Sequence, residues 1–350
     1  MKITKTNKSR IKSIDFNDLK FGNIFSDHMF ICKYQNGRWK DPLIKPYGNI
    51  EIFPGTQVLH YGQSVFEGLK AFKNKDDDIL IFRKEDNYNR LIKSSERLCI
   101  PKLPRSIFMD GLDHLIKLDS LWCYNKQGYS LYIRPFIFAS SECIKASSSE
   151  EYTFMIITSP SKRYYSNDLN LYVEQKYTRA SKGGVGYTKA AGNYASSFYP
   201  TKLAYQNGFN QIIWTDGENH QYIEEAGTMN IWLRVKDKLI TPKLSDTILA
   251  GITRDSIMVL ARKNNIEVEE KKISLEEITR YYQKGELIEA FGTGTAVSVS
   301  PISSITIGDK KIKIEKIEDG FCSILSKQLK SIQYGIVEDN YNWTSKITIE

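Results

Sequence analysis

Between Phe21 and Phe82, short β-favouring runs alternate with glycine, proline and asparagine breaks: MFICKY, the Asn36-Gly37 pair, PLIKPYGNIEIFPG, HYGQSVFEGLKAF and ILIFR. That rhythm predicts antiparallel strands and hairpins, starting near Phe21 and leaving Arg83 at a strand end. Helical spacing then takes over from Glu85 to Cys99, where Tyr88, Leu91, Ile92, Ser95 and Leu98 recur before Pro101. A second helix is predicted over 104–122, with Ile107, Leu112, Leu115, Ile116 and Leu121 as its buried stripe. Two more strand-like runs, GYSLYIRPFIFAS (128–140) and EYTFMIITSP (151–160), complete an α+β unit.

At 350 residues the chain exceeds the usual growth of one core, so two domains are expected. The polar stretch SKRYYSNDLN (161–170) is the candidate linker, which divides the chain into 1–160 and 171–350. The second half predicts a helix from about Ala195, closed by Asn207-Gly208, and strands at QIIWTDG, NIWLRV and KLITP. A helix is predicted over Ala250–Lys263, and Ser274 with Glu277 forms a capping box for the next, ending near Lys284-Gly285. LIEAFGTGTAVSVSPI reads as a strand running into a glycine loop. The last helix, Phe321 to Tyr334, would bury Phe321, Ile324, Leu325, Leu329 and Ile332.

Forty-nine basic against 41 acidic residues leave a net charge of +8, which could suggest an anionic partner. The two signs are interleaved along the chain rather than clustered, which argues against nucleic acid. Five cysteines (Cys32, Cys99, Cys123, Cys143, Cys322) form no CxxC pair, and four scattered histidines offer no metal ligand set. An odd, dispersed set of thiols suits a reducing compartment. No stretch approaches the roughly 18 consecutive apolar residues of a membrane span. The opening MKITKTNKSRIK is basic and without acids; it reads as a ragged terminus, with a transit peptide as the alternative. The cytoplasm is therefore expected, with the mitochondrion as second choice.

GGVGYTKAAGNY (183–194) sets Lys189 in a collar of glycine and alanine, five residues before Tyr194. Small neighbours let backbone approach a bound group while the long amine points at it. A lone lysine is ordinarily solvated; the functional reading is a Schiff-base lysine, partly desolvated in a tight pocket. A lysine-held aldehyde cofactor needs a carboxylate for its ring nitrogen, a donor for its ring oxygen and a cation with backbone amides for its phosphate. EEAGTMN (224–230) offers the carboxylate. Gly251, Ile252 and Thr253 lie at a predicted helix N-terminus suited to an anion, FGTGTA (291–296) adds a second glycine loop, and Arg83 can supply the cation. Alone, each has a plainer explanation: a turn glutamate, an ordinary glycine turn, an exposed arginine.

Together with FSDHMF (25–30), LHYGQSVFEGLKAF (59–72), LYIRP (131–135) and SIQYGI (331–336), these motifs make the chain resemble the branched-chain amino acid aminotransferases of the fold-type IV pyridoxal-phosphate enzymes, from about Phe21 to Tyr334. The resemblance implies an α/β (α+β) chain with a smaller N-terminal domain, a larger cofactor-binding C-terminal domain and the site between them. It implies pyridoxal 5'-phosphate as cofactor, Lys189 as the Schiff-base and proton-transfer residue, Glu225 at the pyridine nitrogen and Tyr194 at the ring oxygen. Arg83, Gly251, Ile252, Thr253 and Thr295 would hold the phosphate. Thr228 and Ala296 would take the substrate α-carboxylate, Phe25, Tyr61 and Tyr132 would wall the side-chain pocket, and Arg134 would reach the distal carboxylate of glutamate or 2-oxoglutarate. A homodimer is implied, with loop 141–147 reaching the partner's pocket through Ile144 and Ala146. The sequence departs from mammalian members at Val297 and Ser300, where those carry a redox CxxC, and at Lys145, where they carry glycine.

The expected activity is amino transfer between L-leucine, L-isoleucine or L-valine and 2-oxoglutarate. Within the same fold, D-amino acid transaminases and aminodeoxychorismate lyases are the rivals. From another class, the rival is a catalytically idle binding protein, against which an intact Lys189, Tyr194 and Glu225 set argues.

Overall fold

The Asn36-Gly37 break forms the turn that its dipeptide predicts. Strands β2 (His28–Gln35) and β3 (Arg38–Pro46) pair antiparallel with Gln35 opposite Arg38, leaving Asn36 (φ 53°) and Gly37 (φ 76°) as the loop. Positive φ at both positions is the primed turn whose twist matches the flanking strands. The computed structural model describes residues 1–162 and 169–349, in two units between which the chain passes more than once, first within the undescribed residues 163–168. The expected linker therefore lies largely outside the described residues.

The first unit contains the N-terminal residues, the short segment Thr188–Gly192 and the chain from Ser331 onward. Besides β2 and β3 it holds β1 (Lys2–Ile3), α1 (Val58–Tyr61), β4 (Ser64–Phe66), β5 (Leu69–Lys73), β6 (Ile79–Phe82), α2 (Lys84–Arg97), α3 (Arg105–Leu118), β7 (Ser130–Ala139) and β8 (Tyr152–Ser161). They form one sheet in the order β1-β3-β2-β8-β7-β5-β6, completed by the C-terminal strand Thr344–Ile347, with β4 also on β7. Every pairing is antiparallel except β1 on β3. Along β2, Phe30 and Cys32 join the core that Leu91 of α2 and Phe108, Leu112 and Leu115 of α3 cover, while Met29 and Ile31 meet Phe138 and Met155 on the other face. A sheet buried on both faces explains the unbroken apolar run MFIC.

Several expectations need correction here. The N-terminus is not ragged: β1 adds an edge strand, and Thr4 N–H donates to Ile44 O at 2.9 Å. Phe21 lies in a turn, and the first strand of its region starts at His28. Helix α3 stops at Leu118, and Leu121, in the 3-10 turn that follows, is 69% exposed because it has left the helical face.

In the second unit lie β9 (Leu169–Val173), α4 (Ala191–Ala195), whose first two residues belong to the first unit, α5 (Phe198–Gln206), β10 (Gln211–Thr215), β11 (Tyr222–Ala226), β12 (Met229–Val235), β13 (Lys238–Pro242), α6 (Ile252–Lys263), β14 (Glu267–Lys271), β15 (Ile273–Ser274), α7 (Leu275–Gln283), β16 (Leu287–Gly294), β17 (Ser298–Ile307), β18 (Lys310–Lys313) and α8 (Phe321–Gln333), whose last residues return to the first unit. Strand β11 pairs with β10 on one side and β12 on the other, so β12-β16-β17-β9-β10-β11 closes into a ring. Closure abolishes the free edges of these strands and encloses Leu171, Ile213, Ala226, Met229, Ile231 and Ile305 in one apolar cluster. The predicted capping box is present on α7, with Ser274 Oγ accepting Glu277 N–H and Glu277 Oε2 accepting Ser274 N–H, both at 3.0 Å. FGTGTA is less of a loop than expected, because Phe291–Gly294 belongs to β16 and pairs with β17, leaving only residues 295–297 as the turn. The helix expected from about Ala195 begins at Phe198, and on α8 Phe321 and Ile324 are only half-buried. No helix among the described residues is long and apolar enough to cross a membrane.

Gly111 of α3 faces the fully buried Phe30, and a Cβ there would stand 2.7 Å from the ring. Alanine in place of a mid-helix glycine normally gains about 1 kcal/mol. Overpacking a closed core costs about 1–3 kcal/mol. Steric cost should win, so Gly111→Ala is expected to lower the urea unfolding midpoint; an unchanged or higher midpoint would contradict this packing.

Candidate active site

The collar around Lys189 is in part a packing requirement. A Cβ on Gly186 would lie 2.4 Å from Ala180 Cβ and 2.7 Å from Thr247 O, so only glycine lets these backbones meet. At Thr188 the chain enters the first unit, where Ala190 bridges to Val65. Phe66 N–H donates to Lys189 O at 3.1 Å, and Lys189 N–H donates to Ser94 Oγ of α2 at 3.0 Å. The backbone is thus pinned on both sides of a half-buried side chain, whose Nζ stands 4.9 Å from the centroid of Phe66.

The same ring meets Arg134 of β7, whose guanidinium carbon is 4.5 Å from its centroid and which donates to Tyr132 Oη at 2.9 Å. Arg134 Nε is buried without a hydrogen-bond partner, a donor without its acceptor. Gly68 makes room for this pair, since a Cβ there would lie 2.1 Å from Tyr132 Oη. Between Phe66 and Gly68, the fully buried Glu67 receives the Arg90 fork at 2.7 and 2.8 Å, a charge-assisted pair that anchors the turn. Arg83 sits in a left-handed conformation (φ 51°) ahead of α2, its side chain buried and paired with Asp86 at 2.8 Å. Phe25 stacks on Tyr47 at 4.9 Å, and the half-exposed Tyr61 donates its hydroxyl to Ile144 O. Buried Gln57 grips loop 141–147 by the carbonyls of Lys145 (3.1 Å) and Ser147 (2.5 Å), and Ile144 is 71% exposed.

In the second unit, three expected residues, Tyr194, Glu225 and Thr228, line one small cleft with Arg179, Asn193 and Leu249. Glu225 stands on β11, 3% exposed. One of its oxygens accepts Leu249 N–H at 2.8 Å and the other meets Arg179 Nε at 2.7 Å. Arg179 also donates to the carbonyls of Gly186 (3.3 Å) and Thr247 (2.8 Å). A buried charge compensated in this way avoids the heavy cost of standing alone. Cross-strand from Glu225, Asn230 donates to Leu249 O at 2.9 Å. Two residues beyond Leu249, Gly251 is the N-cap of α6, and Ile252 and Thr253 form its first turn, where amides lack intrahelical acceptors. Thr295 and Ala296 are half-buried in the turn from β16 to β17.

The neighbouring Glu224 points to the other side of the strand. Its Oε1 accepts Thr247 Oγ1 at 2.5 Å, its Oε2 is buried without a partner, and burial pushes its carboxyl above the ordinary value, against the opposing pull of that hydrogen bond and of Arg179. Sequence reasoning missed Arg179, Phe66, Glu67, Arg90 and Ser94. Phe66-Glu67-Gly68 sits inside a motif quoted for the resemblance and could have been singled out; nothing local marks Arg179. A buried carboxylate that shares a cleft with a tyrosine, with a helix N-terminus close along the chain, fits a phosphorylated pyridine.

Residues 64–305 match the family model of class IV aminotransferases, whose members are pyridoxal-phosphate-dependent. Branched-chain-amino-acid aminotransferase 2 of Bacillus subtilis (strain 168) is 41% identical over 352 residues, covering 99% of this chain and 96% of the relative. A solved branched-chain aminotransferase from Thermoproteus uzoniensis, with norvaline, has a TM-score of 0.76 at 23% identity, covering 91% of this chain and 99% of that one. The holo form from Thermobaculum terrenum, with pyridoxal phosphate, has a TM-score of 0.74 at 21% identity, covering 91% and 98%. These two likenesses bear on the fold, and they bear out the expected fold-type IV architecture. Shared across nearly the full length of both chains, the identity to the Bacillus relative means that this chain belongs to the class IV aminotransferases, within their branched-chain-amino-acid aminotransferase family.

Proposed function

We propose that the enzyme moves the amino group of L-leucine, L-isoleucine or L-valine to 2-oxoglutarate, giving the branched 2-oxo acid and L-glutamate. The observation that carries this reading is the 41% identity over 99% of the chain to a relative named for that activity. Pyridoxal 5'-phosphate supplies a ring that draws electrons from the substrate α-carbon. Lys189 Nζ takes the proton from that carbon as a general base and, as a general acid, would deliver it to the cofactor's aldehyde-derived carbon. Glu225 keeps a proton at the ring nitrogen, with Arg179 and Leu249 N–H holding its carboxylate, and the Tyr194 hydroxyl donates to the ring oxygen. Arg83, the amides of Gly251, Ile252 and Thr253, and Thr295 hold the phosphate.

Thr228 and Ala296 receive the α-carboxylate. Phe25, Tyr61 and Tyr132 form an aromatic box with Arg134 at its edge. Such a box accepts both substrates, because burying a few methylenes and a charge-assisted hydrogen bond each contribute about 1.5–3 kcal/mol. The proposal includes a homodimer in which loop 141–147 reaches the partner's pocket through Ile144 and Ala146. It also includes the cytoplasm as the place of work; relatives from bacteria give the mitochondrial alternative no support.

Purified enzyme is expected to turn over L-leucine with 2-oxoglutarate and to leave D-alanine untouched; the reverse preference would transfer the assignment to the D-amino acid transaminases. Lys189→Ala should lower kcat by about 10³-fold or more while cofactor still binds, as dialysis and absorbance would report. Retained turnover would show the lysine to be misassigned. The adjacent glutamates should behave oppositely. Glu225→Ala strands a buried guanidinium and should cost about 3–5 kcal/mol. Glu224 titrates above its ordinary value, so any stability it adds is present at low pH and is lost as pH rises through its folded value. Glu224→Gln should therefore match or exceed the parent in unfolding midpoint at pH 7, with the difference shrinking towards pH 4.

A further inference from the structure

Of the motif FSDHMF (25–30), only Phe25 has a part in the chemistry proposed above. Ser26, Asp27 and His28 grip the chain's first ten residues. Buried Asp27 accepts Ser9 Oγ–H at 2.5 Å and Arg10 N–H at 2.9 Å, besides Trp122 Nε1–H at 2.9 Å. Buried His28 takes Thr6 N–H on Nε2 at 2.9 Å and faces Asp119 Oδ1 with Nδ1 at 2.6 Å. Ser26, also buried, is tied to Thr158 by side chain (2.5 Å) and backbone (2.9 Å). With Ser26 tied to the sheet, the strap bears on Phe25 through Arg10. Its Nη2 donates to the carbonyls of Phe25 (3.1 Å) and Ser26 (2.5 Å). Its guanidinium carbon lies 5.3 Å from the Tyr47 ring, on which Phe25 is stacked with 12° between the planes.

A basic terminus held only by surface charge would be screened and mobile. Here the anchors are buried acceptors, which are costly to leave unmade. The strap also lies ahead of residue 64, where the match to the class IV model begins. We propose that residues 1–10 form a strap that fixes Phe25 and thereby sets side-chain discrimination, with Arg10 as the positioning residue. The inference rests on the reading of Phe25 as a pocket wall.

Steady-state kinetics of the holoenzyme with L-leucine and L-valine test it in a cycle of Arg10→Ala, Phe25→Ala and the double variant. Arg10→Ala is expected to lower kcat/KM for L-leucine about fivefold through KM, with kcat within about twofold and the leucine-to-valine ratio shifted. In the Phe25→Ala background the same substitution should change nothing further, because both act through one contact. Arg10→Lys, whose ammonium still reaches a carbonyl, should recover part of the loss. Thr6→Pro, which deletes the N–H that His28 accepts, should reproduce the KM shift from the other end of the strap, and it serves if Arg10→Ala proves unstable. Additive losses in the double variant, or a fall in kcat at constant KM, would overturn the strap while leaving Phe25 as a wall. Silent Phe25→Ala would overturn the wall and the strap together.

Discussion

Strand β11 is shared between two antiparallel neighbours, and this double pairing closes the ring of the second unit. The shared strand also carries Glu225, 3% exposed, and a carboxylate so buried must be compensated by a positive partner and a hydrogen-bond donor. Arg179 and the Leu249 amide meet that demand, and both also tie the loop before α6 to the ring wall. The period-2 geometry of the strand turns Glu224 the other way. Two adjacent glutamates thus face different chemistry: one is paired in charge, and the other is driven towards its neutral form by burial.

In the first unit the corresponding constraint is on backbone rather than charge. Lys189 is carried on a five-residue segment that the sheet and α2 hold by main-chain bonds to Phe66 and Ser94. Phe66 is itself set by the buried Glu67–Arg90 pair one residue on. A fixed backbone suits the proton-moving role proposed for Lys189, because the reach of its side chain is then limited to a small volume. The Tyr132–Arg134 pair depends in the same way on the missing Cβ of Gly68.

Much of this was legible in the sequence wherever the deciding forces are local. Asn36-Gly37 selects its turn by backbone preference alone, Ser274 and Glu277 cap α7 across three residues, and the spacing of Tyr88 and Leu91 marks α2. The resemblance named Glu225, Tyr194 and Thr228, and these three line one cleft. Readings failed where partners are distant. The opening residues looked like a ragged terminus because Leu43, which pairs with Lys2, and Asp27 and the Phe25 carbonyl, which Arg10 meets, lie from 15 to 41 residues away. FGTGTA looked like a loop because glycines say nothing about the β17 ladder that extends β16.

By itself, the order of residues determined the local elements, the placing of small residues where backbones must meet, and, through motifs kept in order, the family. Tertiary structure alone decided which arginine stands against Glu225, that Phe66 and Ser94 frame Lys189, and that the basic terminus grips buried acceptors. The physical reason is that hydrogen bonds and ion pairs act over about 3 Å in space, without regard to separation along the chain. Only the closed ring of one unit and the two-faced sheet of the other bring those distances about.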